Sequence, residues 1–379
     1  MAAAASSSAS ASSSSAASSA PARWGVLATI ARVCASDDDL PPGQADLSLA
    51  LAAPPGISVL TVPPRISPDP ISMENFPAVL ATDPSGLFLL HATQGPRTGP
   101  LMYGPNGFWW RRFVDAYFVC NARSATTFRL PDPEGNLGLV TQDGGRSFTV
   151  AGLQPIVGSD QAALLRYSSQ TGQWTTEMLY YPLHGVRPWA SHGVISQYSH
   201  SHLQQEQRLW WYDLSWGFLT CLSCEDEPDL DFVPLPPFKE LPFISMAHYD
   251  IAMPEKPSVT VRSLKKPALR HGHRMVPWIG LHTCYQKESG EWLRRLDHEV
   301  CFDDIWSHRT YKALDLPKKI PNLAFVDPCS SDVVYFFLED YIFGVDLCSA
   351  SVCKCVPYTL DNPRPNLMSS KFVLPCKLF

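Results

Sequence analysis

Tyr167-Ser-Ser-Gln-Thr-Gly172-Gln-Trp174 is the stretch that decides the fold, because its spacing returns in Tyr285-Gln-Lys-Glu-Ser-Gly290-Glu-Trp292. Both segments have the form Tyr-x4-Gly-x-Trp. The form predicts a strand, a polar turn in which glycine takes a positive φ at no steric cost, and a second strand that an aromatic residue opens. Tyr212-Asp-Leu-Ser-Trp-Gly217-Phe218 is a degenerate third copy. The repeat therefore predicts a series of β-hairpins.

Two further hairpins are expected within Tyr117–Leu130 and Tyr335–Val356, and the five tyrosines recur at similar intervals. The intervals along the chain are 50, 45, 73 and 50 residues. A period of about 40–50 residues in an all-β chain is typical of the blades of a β-propeller. We therefore predict a β-propeller-like domain over residues 23–360 with six or seven four-stranded blades. A pair of β-sandwiches with coincidental hairpin spacing is the alternative.

The composition also favours strands over helices. The chain has 379 residues, and 35 of them are proline, about twice the usual share of ~5%. Each proline removes an amide donor and clashes with the preceding helical turn, which excludes helical bundles and coiled coils. Short apolar runs such as Ala162–Tyr167 and Val333–Leu338 carry the β-branched and aromatic residues that suit a pleated surface.

The two ends differ in composition from the predicted domain. Residues 1–22 are almost entirely Ala and Ser, which bury too little apolar surface to offset the entropy of ordering, so we expect a disordered tail. A chloroplast transit peptide is the alternative, although such peptides are Arg-rich and only Arg23 and Arg32 precede the first acid. Residues 361–379 are expected to form a C-terminal extension.

Charge and cysteine content limit the classes of partner. The net charge of -6 and a pI near 6.0 disfavour nucleic acid, whose binding domains usually have a pI above ~9. The longest apolar runs are strand-sized, which argues against a membrane span. Eleven cysteines without a signal-peptide core predict reduced, mostly buried thiols. We expect a cytosolic or nuclear monomer that binds other proteins, with a plastid location as the minor alternative.

The same stretches resemble the domain of unknown function 1618 family, a plant family expanded in grasses. The resemblance covers about residues 23–360, and its most specific unit runs from Trp210-Trp211-Tyr212-Asp213-Leu214 to Val233-Pro234-Leu235-Pro236-Pro237. It implies a propeller-like fold, similar in style to F-box-associated and kelch-type domains. It implies no activity, substrate or catalytic residue. Residues 234–274 are more basic and irregular than the family pattern.

Neither catalytic residues nor a cofactor or metal site are predicted. We find no nucleophile elbow, phosphate loop or zinc-helix motif, and His298-Glu299 fails as a zinc helix because Phe302 stands where the second histidine belongs. Cys221 and Cys224 point to opposite faces of a strand, whereas Cys353 and Cys355 share one face; both pairs are read as structural thiols. The histidine pairs His200/His202 and His271/His273 lie in polar stretches without a carboxylate cluster.

Two features remain as candidate binding elements. One is a basic stretch without acids, expected to form a loop that binds an acidic partner; it comprises Arg262, Lys265, Lys266, Arg270 and Arg274. The other is the set of tryptophans at 109–110, 210–211 and 216, which would either pack between blades or line a binding surface. The leading hypothesis is a non-catalytic propeller that binds proteins. A propeller hydrolase or carbohydrate binder is the alternative, with Asp213, Asp303, Asp304 and Asp346 as its candidate carboxylates.

Overall fold

A computed structural model describes most of the chain between Trp24 and Lys377. The described residues are 24–40, 46–68, 70, 75–103, 109–131, 135–183, 193–200, 205–213, 217–222, 228–234, 247–250, 258–265, 278–286, 292–330, 332–360, 368 and 372–377. The predicted disordered tail, residues 1–22, lies outside them.

The described strands form six sheets that follow one another along the chain, and a small two-stranded ribbon. Sheet 1 contains β1 (Trp24–Ala28), β2 (Arg32–Val33), β3 (Ser48–Ala50), β4 (Ile57–Val62) and β27 (Val373–Lys377). Sheet 2 contains β5 (Ala78–Thr82), β6 (Leu87–Thr93), β9 (Asp115–Asn121) and β10 (Thr126–Arg129), and the ribbon contains β7 (Leu101–Tyr103) and β8 (Trp109–Arg111). Sheet 3 contains β11 (Leu137–Gln142), β12 (Ser147–Pro155), β13 (Gln161–Ser168) and β14 (Gln173–Tyr180).

The second half of the chain repeats this arrangement. Sheet 4 contains β15 (Gly193–His200), β16 (Gln205–Asp213), β17 (Gly217–Leu222) and β18 (Asp231–Pro234). Sheet 5 contains β19 (Ala247–Asp250), β20 (Ser258–Lys265), β21 (Trp278–Gln286) and β22 (Trp292–Cys301). Sheet 6 contains β23 (Asn322–Val326), β24 (Val333–Leu338), β25 (Tyr341–Asp346) and β26 (Ser351–Pro357). Sheets 2 to 6 are four-stranded and antiparallel, as predicted for blades.

Two short helices separate sheets 5 and 6. They are α1 (Phe302–Ser307) and α2 (Arg309–Lys312), and Phe302, Ile305 and Tyr311 anchor them in the core that these two sheets share. Short 3-10 turns lie at Asp37–Asp39 and Asp143–Gly145. No helix among the described residues combines the length and the apolar character that crossing a bilayer requires.

Neighbouring sheets bury their faces against each other. In β24 the alternate residues Val334 and Phe336 join a cluster with sheet 5, whereas Tyr335 and Phe337 join a cluster with sheet 1. Similar clusters connect sheets 1 and 2, 2 and 3, and 3 and 4. The side chains of β19 and β20 are outside the described set, so the junction of sheets 4 and 5 is not described. A strand buried on both faces reads as a continuous apolar run, which explains the sequence of β24.

The C-terminal strand closes the series of sheets. β27 pairs antiparallel with β1 over five residues, from Trp24 opposite Lys377 to Ala28 opposite Val373. The first sheet thus combines strands from both ends of the chain, and the described strands form a β-propeller-like arrangement of six blades. The predicted C-terminal extension, residues 361–379, supplies β27, and its Val373 and Leu374 fill the clusters on the two faces of sheet 1.

The predicted hairpins are confirmed where they are described, but the tyrosine spacing mixed two positions in the blade. Tyr117, Tyr167 and Tyr285 lie on third strands, whereas Tyr212 and Tyr335 lie on second strands. A tyrosine before a polar turn suits any hairpin. The spacing therefore predicted the correct period, although the five tyrosines do not occupy the same strand in each blade. The 73-residue interval between Tyr212 and Tyr285 contains β19, β20 and the chain segments that connect these strands to β18 and β21.

A shared turn joins the third and fourth strands of sheets 2, 3 and 6. The first side chain of the turn accepts a hydrogen bond from the backbone N–H two residues later: Asn121 from Arg123, Ser168 from Gln170, and Asp346 from Cys348. The fifth residue is left-handed in each turn, with φ of +54° at Ala125, +66° at Gly172 and +51° at Ala350. The expectation of a positive φ at Gly172 is confirmed.

Replacing Ala350 with glycine is therefore expected to stabilise the protein. An alanine in the left-handed region is strained by about 1–2 kcal/mol, and glycine at the same position relieves this strain. Glycine also costs about 0.5–1 kcal/mol of stability, because it loses more conformational entropy than alanine on folding. Ala350→Gly should raise the free energy of unfolding by about 0.5–1 kcal/mol, measured by chemical denaturation. Gly172→Ala should lower it by a similar amount. A loss of stability in Ala350→Gly would contradict the left-handed turn.

Candidate functional site

An exposed ribbon projects from sheet 2 between β6 and β9. Its strands β7 and β8 pair antiparallel, with Leu101 opposite Arg111 and Tyr103 opposite Trp109. At its base, the Gln94 N–H donates to the Val114 carbonyl at 2.7 Å. The ribbon is thus an insertion within one blade, held at its base by backbone hydrogen bonds.

Gly99 explains how the two arms of the ribbon approach each other. Its N–H donates to the Arg112 carbonyl at 2.9 Å, and the Arg112 N–H donates to the Pro100 carbonyl at 3.1 Å. A Cβ at Gly99 would lie 2.8 Å from the Arg112 carbonyl oxygen, so the close approach requires glycine. The Arg111 guanidinium donates to the Gly99 carbonyl at 3.2 Å and fixes the crossing point.

The ribbon exposes large apolar side chains. Tyr103 is 62% exposed and Trp109 is 63% exposed, with ring centroids 4.7 Å apart, and Leu101 is 52% exposed. Tyrosine and tryptophan supply large, rigid contact area at low entropic cost, and they dominate the binding energy of protein interfaces. The tryptophans at 109–110 are candidates from the sequence, and Trp109 is the one whose exposure the structure describes. Trp110 lies on β8 opposite Met102.

The ribbon region is positively charged. No acid occurs between Asp83 and Asp115, whereas Arg97, Arg111 and Arg112 all lie in this interval. The Arg97 guanidinium lies 4.8 Å from the centre of the Phe113 ring. The Asp115 carboxylate, at the base of the ribbon, lies 3.0 Å from His91 Nε2 and 3.9 Å from Arg112 Nη2, so it faces two basic side chains. The exposed surface therefore combines aromatic and cationic groups.

The other predicted tryptophans have structural positions. Trp210 and Trp211 are fully buried, and Trp211 belongs to the cluster between sheets 3 and 4. Trp216 lies outside the described residues. Trp211 thus packs between blades, and Trp210 is buried with its ring against Phe218 of the same sheet.

The structure describes the basic stretch only in part. Arg262 and Lys265 lie on β20, which pairs with β21, so this part of the stretch is a strand and not the expected loop. Lys266, Arg270 and Arg274 lie outside the described residues. Binding by these five residues stays a prediction.

The structure describes the two cysteine pairs only in part. Cys221 is buried on β17, which raises the pKa of its thiol to about 12, and Cys224 is outside the described residues. The prediction that Cys353 and Cys355 share a face is wrong. The register of β25 and β26 shifts between Gly344 and Val345, and this bulge puts Cys353 against the Gly344 carbonyl at 3.4 Å while Cys355 packs on the other face with the sheet 5–sheet 6 cluster.

The side chains of the two histidine pairs named from the sequence lie outside the described part of the structure. His200 ends β15, and His202, His271 and His273 are outside the described residues.

The candidate carboxylates for hydrolysis lie on different elements. Asp213 is buried at the end of β16, Asp303 and Asp304 lie in the first turn of α1, and Asp346 accepts backbone hydrogen bonds in its turn. Within the described part of the chain, none of them belongs to a group of three close metal-binding or acidic side chains. The four carboxylates thus come from sheet 4, from the helical segment before sheet 6 and from a turn of sheet 6.

An open groove of about 370 Å³ lies between sheets 3 and 4, along β14 and residues 228–231. Its acids are Glu177, Asp229 and Asp231. Glu177 pairs with Arg166, and Asp231 lies 3.5 Å from Arg208. These ion pairs join strands within each sheet, β13 to β14 through Arg166 and β16 to β18 through Arg208.

Comparison with known proteins gives a family match for part of the chain. Residues 211–335 match the family described as "Protein of unknown function (DUF1618)". This match confirms the family resemblance and includes much of its most specific unit. No curated protein matches the chain.

Several solved structures are similar to the chain at low identity. The β-propeller domain of Cps50 (Swd1) from Myceliophteria thermophila has 9% identity and a TM-score of 0.34, covering 74% of this chain and 86% of that one. The α-L-arabinofuranosidase Arb93A from Fusarium graminearum has 10% identity and a TM-score of 0.34, covering 74% and 82%. Polysaccharide lyase Uly1 has 10% identity and a TM-score of 0.32, covering 76% and 69%. Sequence identities and TM-scores this low give no information about function.

Proposed function

We propose that this chain is a non-catalytic β-propeller protein-interaction module, and that the β7–β8 ribbon binds an apolar, acidic segment of a protein partner. The observation that carries the proposal is the exposed pair Tyr103 and Trp109 on a ribbon anchored to a rigid sheet. The interval between Asp83 and Asp115 carries Arg97, Arg111 and Arg112 and no acid in its sequence, which favours a partner segment that carries Asp or Glu. Free thiols at the nine described cysteines support a reducing compartment, the cytosol or nucleus.

The ribbon variant Tyr103→Ala/Trp109→Ala is expected to lose partner binding. Buried aromatic anchors cost about 2 kcal/mol or more when truncated, which corresponds to a roughly 30-fold weaker Kd. Partners are first recovered by affinity purification with the full chain, and direct binding is then measured with purified proteins. Both side chains are exposed, so the melting temperature should stay within a few degrees of the wild type.

Two further variants make this test specific. Tyr180→Ala is the matched control, because Tyr180 is also 62% exposed but lies on β14 in sheet 3. Charge reversal of Arg262, Lys265, Lys266, Arg270 and Arg274 tests the basic stretch as the binding element instead. Unchanged binding by the ribbon variant would contradict the proposal, as would turnover of a sugar or ester substrate by the purified chain.

A further inference from the structure

Three metal-binding side chains converge at the junction of sheets 5 and 6. His298 Nε2 lies 3.0 Å from Asp332 Oδ1 and 3.8 Å from Cys348 Sγ, and all three ligand atoms lie within 4.8 Å of one another. Cys348 is exposed, and His298 and Asp332 are half-buried. The cluster is thus open to solvent on one side.

Backbone features hold each of these residues in place. The register of β21 and β22 shifts so that Leu281 faces His298 and His282 faces Leu296, which leaves a bulge at Asp297 directly before His298. Bulges re-aim the side chains beside them. Asp332 precedes β24, and its carbonyl accepts the Leu347 N–H at 2.9 Å.

Cys348 occupies the third position of the shared hairpin turn. Its N–H donates to Asp346 Oδ1 at 2.8 Å, which fixes the backbone that carries the thiol. The carboxylate and the thiol therefore come from two connected turns of sheet 6, and the imidazole comes from the last strand of sheet 5. Hydrogen bonds thus hold the turns that carry the carboxylate and the thiol, and the imidazole follows the bulge in β22.

The geometry does not suit a cysteine nucleophile activated by a histidine. In such a relay the thiol meets one ring nitrogen and the carboxylate orients the histidine through the other. Here the same atom, His298 Nε2, lies next to both Asp332 and Cys348. Three metal-ligand atoms that converge on one point are the arrangement expected around a metal cation.

We propose that His298, Asp332 and Cys348 bind one Zn²⁺ ion, with a water molecule as the fourth ligand. Tetrahedral zinc with bonds of ~2.0–2.3 Å separates its ligand atoms by about 3.3–3.8 Å, close to the 3.0 and 3.8 Å seen here. Thiolate and imidazole ligands favour zinc over magnesium or calcium. Because the ligands come from two sheets, the ion joins neighbouring blades and stabilises the folded state.

The test uses the full-length protein after chelator treatment, titrated with Co²⁺ as a spectroscopic probe and then with Zn²⁺. We expect one equivalent of Co²⁺ to give thiolate-to-metal charge transfer and the visible bands of a tetrahedral site, and Zn²⁺ to displace it. Zn²⁺ should also raise the melting temperature. His298→Gln should weaken binding at least ~100-fold, beyond the 10–100-fold typical of an outer-shell residue.

Cys348→Ser and Cys329→Ser form the matched pair. Both thiols are exposed and both lie in turns of sheet 6, but Cys329 is not in the cluster. Charge transfer should disappear in Cys348→Ser and persist in Cys329→Ser. The proposal is overturned if Cys348→Ser keeps the charge-transfer band, or if the wild type binds no stoichiometric metal while remaining folded.

Discussion

Removing residues 361–379 is expected to abolish cooperative folding of the chain. These residues include β27, which pairs with β1 over five residues and supplies the last strand of sheet 1. The Thr29 N–H also donates to the Phe372 carbonyl at 3.0 Å, and Asn322 donates to the Met368 carbonyl at 3.0 Å. The deletion therefore breaks contacts to sheet 1 and sheet 6 together.

The expected loss is comparable with the whole stability of a domain. Met368, Phe372 and Val373 are at most 9% exposed, and burying three such side chains stabilises a fold by about 5–9 kcal/mol. A typical domain has about 5–15 kcal/mol in total. The deletion also leaves β1, with Trp24 and Val26, as an unpaired apolar edge, which promotes aggregation.

Circular dichroism and calorimetry measure the outcome. We expect the shortened chain to lack a cooperative transition, whereas a chain lacking only residues 378 and 379 should melt like the wild type. A synthetic peptide of residues 361–379, added during refolding, should restore the transition by supplying β27. Cooperative melting of the shortened chain at the wild-type temperature would show that the fold ends near residue 360.

Local patterns in the sequence predicted the blade correctly but not how the ring closes. Hairpins and apolar alternation are properties of neighbouring residues, so Tyr167–Trp174 could be assigned from its own turn chemistry. The pairing of β27 with β1 joins residues more than 340 positions apart, and five residues near the C-terminus carry no local sign of their partner. The sequence therefore predicts only a C-terminal extension where the last strand lies.

The candidate sites show the same limit. Trp109 was identified from the sequence because it is unusual in itself, but its exposure depends on the insertion that carries it. His298 was rejected because a zinc helix would need a histidine at position 302. Its neighbours in the fold are instead Asp332 and Cys348, 34 and 50 residues away, and only the packing of sheet 6 against sheet 5 brings them together.

Gly217→Ala is expected to be among the most destabilising single substitutions in the chain. From the sequence we expected Gly217 to have a positive φ in a turn, and this was wrong: it lies on β17, between Asp213 on β16 and Pro234 on β18. Its role is to provide space. A Cβ there would overlap the Val233 carbonyl oxygen and lie 2.8 Å from Phe232 Cε2.

A backbone oxygen cannot move aside as a side chain can, so the substitution must push β18 away from β17. Phe232 on β18 packs against the cluster between sheets 3 and 4, and displacing it would loosen that cluster. Overpacking usually costs about 1–3 kcal/mol, and we expect Gly217→Ala to cost at least about 3 kcal/mol because the backbone itself is blocked. Chemical denaturation of the full chain measures this loss.

Gly158→Ala separates crowding from backbone conformation. Gly158 has a φ of +80° and nothing within 4 Å of an added Cβ, so its substitution should cost only the ~1–2 kcal/mol of left-handed strain. Phe232→Leu in the Gly217→Ala background should recover part of the stability, because it removes the ring but leaves the Val233 carbonyl in place. Equal losses in Gly217→Ala and Gly158→Ala, without any recovery from Phe232→Leu, would show that crowding between β17 and β18 is not what requires glycine at position 217.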